Sequence, residues 1–336
     1  MIKIGVIGVG HLGKIHLQCL KNINTIDLIG FYDNDDATAT EVEKTYQVTR
    51  FASLLDLINE CDAIDIVAPT SFHHQLAMQV LTNGKHVFLE KPITSTLSEA
   101  KEIVSYSKAH NLKVQVGHVE RFNDAYIEAK PYLHNPLFIE AHRLAEFNPR
   151  GTDVSVVLDL MIHDIDILLS IIQSPISRIS ANGVSIISHQ PDIANARIEF
   201  ENGATANLTA SRIALKKMRK MRIFQPNAYI TMDFFKKETN VMHLRDYVPA
   251  DDNDTFPLIL DLGENKGKKR VFIETPHSPA INAIETELRC FADSIINDKP
   301  CAIAAEDGYN ALIVAYQIME MMEKQERKIK LSNSQR

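Results

Sequence analysis

Apolar runs and amphipathic stretches alternate along the first third of the chain. The opening residues Ile2, Ile4, Val6 and Ile7 form one apolar, β-branched run, which predicts a buried strand. The next segment, KIHLQCLKN, carries its apolar residues at helical spacing. Strand-like runs recur in IDLIGFYD, AIDIVAPT, KHVFLEKP and LKVQVGH, separated by helical segments. Up to about residue 118 this alternation predicts a doubly wound parallel sheet.

The hydrophobic pattern changes to a period of two after the helical stretch LDLMIHDIDILLSII. In ANARIEFENGATANLTAS, Ala196, Ile198 and Phe200 fall on one face of a strand, and Asn202-Gly203 predicts a type I′ hairpin turn. Two amphipathic helices near the end of the chain would cover the apolar face of such a sheet. The second part is therefore predicted to be an α+β domain with a mostly antiparallel sheet whose polar face is left open.

Glycines with a characteristic spacing follow the first predicted strand and open the first helix. Gly8 would form the tight turn, Gly10 would let the backbone approach a pyrophosphate, and Gly13 would let the helix lie close to the strand. The free N–H groups of the helix N-terminus would then face the phosphates. This context predicts a dinucleotide-binding Rossmann domain over residues 1–119, in which His11 and Leu12 of the same motif also contact the cofactor.

The choice between NAD and NADP depends on the end of the second strand. Asp33 closes that strand, twenty residues after Gly13, where a carboxylate can accept hydrogen bonds from a ribose 2′-hydroxyl. The residues that follow, Asn34, Asp35 and Asp36, are neutral or acidic, and no adjacent arginine is present for a 2′-phosphate. The sequence therefore favours NAD over NADP.

Composition excludes several other classes of protein. The 336 residues are 45% hydrophobic, which suits two globular domains, and the net charge of −7 argues against nucleic-acid or membrane-surface binding. The apolar stretch 154–172 contains Asp159, His163, Asp164 and Asp166, so it is a poor membrane span. The four cysteines are unclustered, and the first strand begins almost at residue 1, so we expect free thiols and a cytoplasmic protein without a signal peptide.

Two groups of residues could carry chemistry. Lys91 closes a predicted parallel strand, at the edge where open α/β sheets bind ligands, although a lysine there is commonly only solvated. Asp159, His163 and Asp166 follow the i, i+4, i+7 spacing of one helix face. This stripe could face water, or it could line a cleft between the domains, where an aspartate would orient His163 as a base. A single histidine without a second ligand cluster argues against a metal site, and none is predicted.

The segment SRIALKKMRKMR concentrates six basic residues within eleven positions. Such a run is usually a solvated sheet edge that discourages strand pairing. It could also attract a phosphorylated substrate. Nucleic acid is disfavoured because the whole chain is acidic and no aromatic residues are interleaved with the basic ones.

Several motifs together resemble the Gfo/Idh/MocA oxidoreductases, and the resemblance covers nearly the whole chain. The motifs are GVGHLG, VAPTSFHH, EKP at 90–92, GHVERFN at 117–123 and DLMIHDID at 159–166. The resemblance implies a Rossmann domain followed by a substrate-binding and oligomerisation domain with a large open-faced sheet, here 120–336, whose C-terminal helix is left free to pack back on the first domain. It implies a homodimer or homotetramer built through that sheet. It also implies a catalytic set, Lys91, His163 and Asp159, and nicotinamide-side residues Pro69, Thr70, His73, Glu90 and Lys91.

Within that family, the segments around GHVERFN and RLAEFNPRGTD look most like enzymes that oxidise the 3-hydroxyl of UDP-N-acetyl sugars or of their uronic acids. Candidate substrate contacts are then Arg121, Asn123, Arg143, Arg150, Asp159 and His163, since arginine suits diphosphate or carboxylate. Two alternatives remain: a dehydrogenase of a free polyol or hexose such as inositol or glucose, and a non-catalytic sensor that binds the dinucleotide and a partner protein.

Overall fold

The computed structural model describes residues 1–148, 154–248, 258–263 and 267–333. Its strands are β1 (Ile2–Ile7), β2 (Ile26–Tyr32), β3 (Ala63–Ile66), β4 (His86–Glu90), β5 (Val114–Gly117), β6 (Phe138–Leu144), β7 (Ile176–Val184), β8 (Ile193–Phe200), β9 (Thr205–Ser211), β10 (Met218–Gln225), β11 (Ala228–Asp233), β12 (Glu238–Asp246), β13 (Ile259–Asp261) and β14 (Lys268–Glu274). Its α-helices are α1 (His11–Lys21), α2 (Asp36–Tyr46), α3 (Leu54–Glu60), α4 (Thr70–Thr82), α5 (Leu97–Ala109), α6 (Asp124–Ala129), α7 (Ile162–Ile171), α8 (Ala283–Ile296) and α9 (Ala305–Asn333).

The chain divides into two compact units. Unit 1 comprises Met1–Phe122 with Ile281–Val314, and unit 2 comprises Asn123–Ala280 with Ala315–Arg336. The boundary predicted from the sequence lies at residue 119, with 120–336 as the second domain and its C-terminal helix left free to pack back on the first. The segment that contains α8 nevertheless belongs to unit 1, because Leu288, Phe291 and Ala292 of that helix are buried in the core that β1 and α1 build.

Unit 1 contains a five-stranded sheet of order β2-β1-β3-β4-β5, and every neighbouring pair is parallel. The predicted doubly wound parallel sheet is therefore confirmed. The helix ends follow local sequence signals: Thr96 and Glu99 form a reciprocal capping box at the start of α5, and Gly84, with a φ of 72°, follows α4. The strand order reverses between β1 and β3, the position at which ligands bind beyond the carboxyl ends of the strands.

Unit 2 contains a nine-stranded sheet of order β13-β14-β12-β11-β10-β6-β9-β8-β7. Only the β6–β9 pair is parallel among the paired strands of the described residues, so the predicted mostly antiparallel sheet is confirmed. In β8 the residues Ala196, Ile198 and Phe200 are buried, as the period of two predicts. A polar cavity of about 1110 Å³ opens over the other face, between strand residues such as Asn195 and Arg197 and residues of α9.

The hairpin turn between β8 and β9 differs from the prediction. Phe200 N donates a hydrogen bond to Ala204 O at 2.9 Å, and Gly203 N donates one to Phe200 O at 3.0 Å. The loop therefore has three residues, and in it the positive φ, 87°, falls on Gly203. A type I′ turn needs a positive φ at both of its central residues, so the predicted turn type was wrong.

The basic segment also differs from the edge-strand interpretation. Its second half forms β10, which lies inside the sheet and pairs with β11 on one side and with β6 on the other. Met221 and Ile223 are buried, whereas the alternating residues Lys220 and Arg222 point to the open face. There they form ion pairs with acidic residues of the two neighbouring strands, Asp233 at 3.2 Å and Glu140 at 3.0 Å. Charge complementarity across the strands thus makes this basic segment compatible with an interior position.

Candidate cofactor and active site

A glycine-lined turn joins β1 to α1 in unit 1. Gly8 has a φ of 89°, and a Cβ there would lie 2.9 Å from Val67 O. A Cβ on Gly13 would lie only 2.1 Å from Gly8 O, so the helix can approach the turn only because residue 13 has no side chain. Around Gly10, by contrast, no atom lies within 4 Å of the position that a Cβ would take. The turn is closed where it packs on the sheet and open where a pyrophosphate would approach.

A cavity of about 800 Å³ opens at this turn, beyond the ends of β1, β2 and β3. Six predicted cofactor-binding residues line it: Gly8, Gly10, His11, Leu12, Asp33 and Pro69. Its walls also include residues that the sequence did not predict: Phe72, Gln75, Leu76 and Gln79 of α4, together with Leu54 and Thr38. Their spacing along α4 gives one helix face, but only the tertiary structure shows that this face lines a cavity. Such apolar walls with a few polar groups suit an adenine ring and its ribose.

Asp33 lies at the end of β2 and holds the cofactor turn in place. Its Oδ2 accepts a hydrogen bond from Val9 N at 2.7 Å, and its Oδ1 accepts one from Asp35 N at 2.9 Å. Each carboxylate oxygen has a second lone pair, so both can still accept a ribose hydroxyl. Lysine and arginine are absent from the described residues that line the cavity, and Arg50 is ion-paired with Asp36. The site therefore fits NAD and offers no cation to a 2′-phosphate.

Replacing Asp33 with alanine should raise the KM for NAD by about 10- to 100-fold, because the hydrogen bond to the turn at Val9, the one to Asp35 and the ribose acceptor are lost together. The KM for NADP should change much less, since the lost carboxylate also repels a 2′-phosphate. Steady-state kinetics with both cofactors measures the ratio. Asp35→Ala is the matched control. The Asp35 carboxylate caps α2 by accepting a hydrogen bond from Thr38 N at 2.7 Å, and its removal should leave the KM values for NAD and NADP unchanged. An unchanged NAD to NADP preference in Asp33→Ala would contradict the assignment.

The predicted nicotinamide-side residues lie at the ends of β3 and β4. Thr70 is the first residue of α4, and His73 is buried one turn later. The two ring nitrogens of His73 lie 2.9 Å from Pro92 O and 2.8 Å from Ala68 O. Burial lowers the pKa of His73. The imidazole therefore lies between the chain after β3 and the chain after β4, the neutral ring donates to one of the two carbonyls, and its contact with nicotinamide stays a prediction.

Glu90 and Lys91 follow one another at the carboxyl end of β4. Glu90 Oε2 accepts a hydrogen bond from Lys91 N at 3.2 Å. The Lys91 side chain is half-buried, and the peptide bond to Pro92 is cis. The catalytic role of Lys91 stays a prediction. Its position at the carboxyl end of a parallel strand is the one at which open α/β sheets bind ligands.

The residues Asp159, His163 and Asp166 lie on two types of helix in unit 2. Val157–Met161 form a π-helical turn, and α7 begins directly after it. Asp159 lies within the π turn, His163 is the second residue of α7, and both are half-buried, whereas Asp166 is buried. The predicted spacing assumed a regular α-helix, and the sequence pattern gave no sign of the wider turn. Such turns are frequent at functional sites. The described residues contain no group of three or more His, Cys, Asp or Glu arranged to hold a metal.

The predicted substrate contacts occupy different environments. Arg143 on β6 is buried, and its Nε and Nη2 donate to the two carboxylate oxygens of Asp164 at 3.0 and 2.8 Å. This bidentate pair fastens α7 to the sheet. Asn123 accepts from Ala125 N at 3.1 Å and donates to Phe234 O at 3.0 Å. Arg121 lies 3.6 Å from Asp307, and Arg150 lies outside the described residues. Their contact with substrate stays a prediction.

The fold and this geometry agree with two family models. Residues 2–118 match the model described as the oxidoreductase family with an NAD-binding Rossmann fold. Residues 134–231 match the model described as the C-terminal domain of the Gfo/Idh/MocA proteins. The cofactor domain predicted from the glycine motif is thereby confirmed as NAD-binding.

Named relatives and solved structures extend the comparison to the whole chain. UDP-N-acetylglucosamine 3-dehydrogenase of Acidithiobacillus ferrooxidans is 36% identical over 247 residues, which are 72% of this chain and 77% of that protein. Its solved structure matches with a TM-score of 0.85 at 30% identity, over 96% of this chain and 98% of that one. Myo-inositol 2-dehydrogenase of Thermotoga maritima is 23% identical over 98% of both chains. The structure of scyllo-inositol dehydrogenase from Lactobacillus casei, with bound NAD(H) and scyllo-inositol, matches with a TM-score of 0.76 at 25% identity, over 97% of this chain and 98% of that one.

None of the helices in the described ranges combines the length and the apolar character that crossing a lipid bilayer requires.

Proposed function

The chain belongs to the Gfo/Idh/MocA family of oxidoreductases, and from that premise we propose that it oxidises the 3-hydroxyl of a UDP-N-acetylhexosamine, or of the corresponding uronic acid, with NAD. The observation that carries this proposal is the 36% identity, over 72% of the chain, to a UDP-N-acetylglucosamine 3-dehydrogenase. The NAD-type cavity at Asp33 and the position of Lys91 at the end of β4 support it independently of the name.

The proposed mechanism divides the work between cofactor and protein. NAD supplies the hydride acceptor, nicotinamide C4. The ammonium group of Lys91 donates a hydrogen bond to the substrate hydroxyl and stabilises the negative charge that develops on its oxygen. The imidazole of His163 removes the hydroxyl proton, since histidine is the side chain best suited to act as a base near neutral pH. Asp159 orients the substrate or the imidazole.

Cationic and amide side chains would bind the polar remainder of the substrate. Arg121, Asn123 and Arg150 are the proposed contacts to the diphosphate or carboxylate, for which paired guanidinium donors are suited. Arg143 was predicted as a further contact, and its bidentate pair with Asp164 gives it in addition the task of holding α7, the helix that carries His163. Subunits would assemble into a homodimer or homotetramer through the open polar face of the nine-stranded sheet.

A second candidate substrate is a free polyol or hexose. It is favoured by the similarity to myo-inositol 2-dehydrogenase, which extends over 98% of both chains, although at 23% identity. The chemistry would be the same, with Lys91 and His163 in the same roles. The two candidates differ in the diphosphate. A free polyol or hexose has none, so the proposed contact between Arg121 and a substrate diphosphate would not form.

A substrate panel separates the two candidates. The purified protein is mixed with NAD or NADP and with UDP-N-acetylglucosamine, its uronic acid, glucose or myo-inositol, with and without 2-oxoglutarate, and reduced nicotinamide is followed by absorbance. We expect turnover with a UDP-sugar and NAD only, since a free sugar lacks the diphosphate whose contacts would supply the binding energy that orders the substrate. Turnover confined to myo-inositol or glucose would establish the second candidate and overturn the first. The 2-oxoglutarate arms reveal a cofactor that stays bound and is reoxidised in place.

A further inference from the structure

Three titratable side chains, two of them buried and the third half-buried, form a line within unit 1 that ends at Glu90, the residue before Lys91. His16 of α1 is fully buried, and its Nδ1 lies 2.9 Å from Oδ2 of Asp65, a buried residue of β3. Its Nε2 lies 3.4 Å from Oε1 of Glu90. The other oxygen of Glu90 accepts the hydrogen bond from Lys91 N. A continuous series of polar contacts thus runs from the interior of the sheet to the backbone of the proposed catalytic lysine.

The two carboxylates determine the charge of the imidazole. Each ring nitrogen of His16 lies within ion-pair distance of a carboxylate oxygen, the contact at Nδ1 alone has hydrogen-bond geometry, and only the doubly protonated ring carries a proton towards both carboxylates. Burial lowers the pKa of His16, but Asp65 and Glu90 outweigh it, and the pKa is raised well above its usual value. Burial raises the pKa of Asp65 as well. Both pKa shifts favour a proton that stays bound to the His16–Asp65 pair at neutral pH.

Residues of β4 and β5 pack against the Glu90 carboxylate and the His16 ring. A Cβ on Gly117 of β5 would lie 2.7 Å from Glu90 Oε1, so the carboxylate can occupy this position only beside a glycine. On the other side the ring of Phe88 meets His16 edge-on, with centroids 5.9 Å apart and planes at 66°. Gly117 therefore leaves the space that the Glu90 carboxylate occupies, and Phe88 packs against one side of the imidazole.

We propose that Asp65 and His16 are positioning residues that hold the Glu90 carboxylate in place, and that Glu90 in turn places Lys91 through its hydrogen bond to Lys91 N. The positive imidazolium lies behind the carboxylate and stabilises its charge. The fixed carboxylate holds the backbone of Lys91, and this positions the ammonium group that the proposed mechanism needs for hydrogen bonding to the substrate hydroxyl. The inference rests on the proposed role of Lys91, but the charge state of His16 can be measured without any turnover.

The first experiment measures that charge directly. Histidine is labelled selectively with ¹⁵N, and the ring-nitrogen shifts of His16 are followed against pH in the full-length protein and in Asp65→Asn. We expect an imidazolium at neutral pH in the wild type, and a lower pKa of His16 in Asp65→Asn, because the main compensating charge is gone. A neutral His16 ring in the wild type at neutral pH would overturn the proposal.

Stability should follow the same titration. A group whose pKa is raised on folding stabilises the protein fully below its unfolded pKa, about 6.5, and loses that contribution as the pH rises through the folded pKa. The Tm of the wild type should therefore fall in the alkaline range, and that step should be absent from Asp65→Asn. The charged groups that act on His16 are Asp65 from β3 and Glu90 from β4. Cys19 of the same helix and Glu285 of α8, which acts on Cys19, are the other titratable neighbours.

The second experiment links the line to turnover. Asp65→Asn should lower kcat by about 10- to 100-fold and displace its pH profile, with little change in the KM for NAD, because the lysine is misplaced while the cofactor turn is intact. Gly117→Ala should have the same effect without altering a titratable group. Asp27→Asn, on the exposed side of β2, is the matched control. A loss of Tm in Asp65→Asn with an unchanged pH profile would reduce the line to a structural role and overturn the proposal.

Failure of the proposed function is recognised separately. If Lys91→Ala keeps near-normal turnover, the proposed catalytic role of Lys91 is wrong. This conclusion does not depend on the ¹⁵N shifts of His16. If Lys91→Ala is inactive and Asp65→Asn is as active as the wild type with the same pH profile, the mechanism stands and the positioning role of Asp65 and His16 fails.

Discussion

Lys91→Ala should lower kcat by about 10²- to 10³-fold while the Kd for NAD stays close to the wild-type value. The factor is that of removing one pre-organised donor from a developing oxyanion. The affinity is expected to persist because the glycine turn and Asp33 lie at the ends of β1 and β2, apart from the end of β4. Stopped-flow or steady-state absorbance of reduced nicotinamide gives kcat, and calorimetric titration gives the Kd.

The same strand provides the control for this variant. Lys85 immediately precedes β4 and Lys91 immediately follows it, and the Nζ of Lys85 donates to Cys61 O at 2.7 Å. Lys85→Ala should therefore keep its turnover. Lys91→Arg keeps the positive charge but replaces a compact ammonium by a planar fork, and we expect an intermediate kcat. Equal activity of Lys91→Ala and Lys85→Ala would remove Lys91 from the mechanism.

The sequence predicted those parts of the fold that depend on neighbours along the chain. The strand, glycine turn and helix around Gly8 and the alternation in β8 were correct, because each follows from backbone conformation or from a period of two. The type of the turn at Gly203 was wrong, since Asn-Gly is compatible with more than one loop length and the register of the two strands decides between them.

Long-range contacts account for the features that the sequence left open. From the sequence alone, the basic segment predicts an edge strand. It lies inside the sheet because Asp233 and Glu140 of the neighbouring strands form ion pairs with its basic residues. Nothing in the local pattern of α8 indicates that its apolar face completes the core of unit 1. At the candidate site, the sequence predicted which residues are present. The structure shows that several of them also make contacts within the protein that the sequence did not predict. His73 bridges two backbone carbonyls, and Arg143 pairs with Asp164.

The buried His16 shows why some functional groups escape a reading of sequence. It lies on α1 at a position where an apolar residue would satisfy the helix pattern, and Asp65 lies within an otherwise apolar strand. Each looks like an exception to its own element. Only the packing of α1 against the sheet brings them within 2.9 Å and makes them a charge pair. Buried polar residues that break a pattern are thus good places to search for function.

Gly13→Ala should lower the Tm of the apoprotein and abolish measurable NAD binding. The added Cβ would lie 2.1 Å from a backbone atom, Gly8 O, so α1 or the turn must move. Forced overpacking of this kind costs about 1–3 kcal/mol. The helix N-terminus would also leave the position from which its N–H groups reach a pyrophosphate.

Two other glycines separate the contributions of steric overlap, backbone conformation and ligand space. A Cβ on Gly10 meets nothing within 4 Å, so Gly10→Ala should keep the Tm of the apoprotein but weaken NAD binding by at least about tenfold, because the methyl group occupies the space that the pyrophosphate needs. Gly84→Ala meets no atom either but has a φ of 72°, so it should lower the Tm modestly and leave NAD binding unchanged. Scanning calorimetry with and without NAD measures all three variants. If Gly10→Ala gained as much Tm from NAD as the wild type does, the open side of the turn would not be where the pyrophosphate binds.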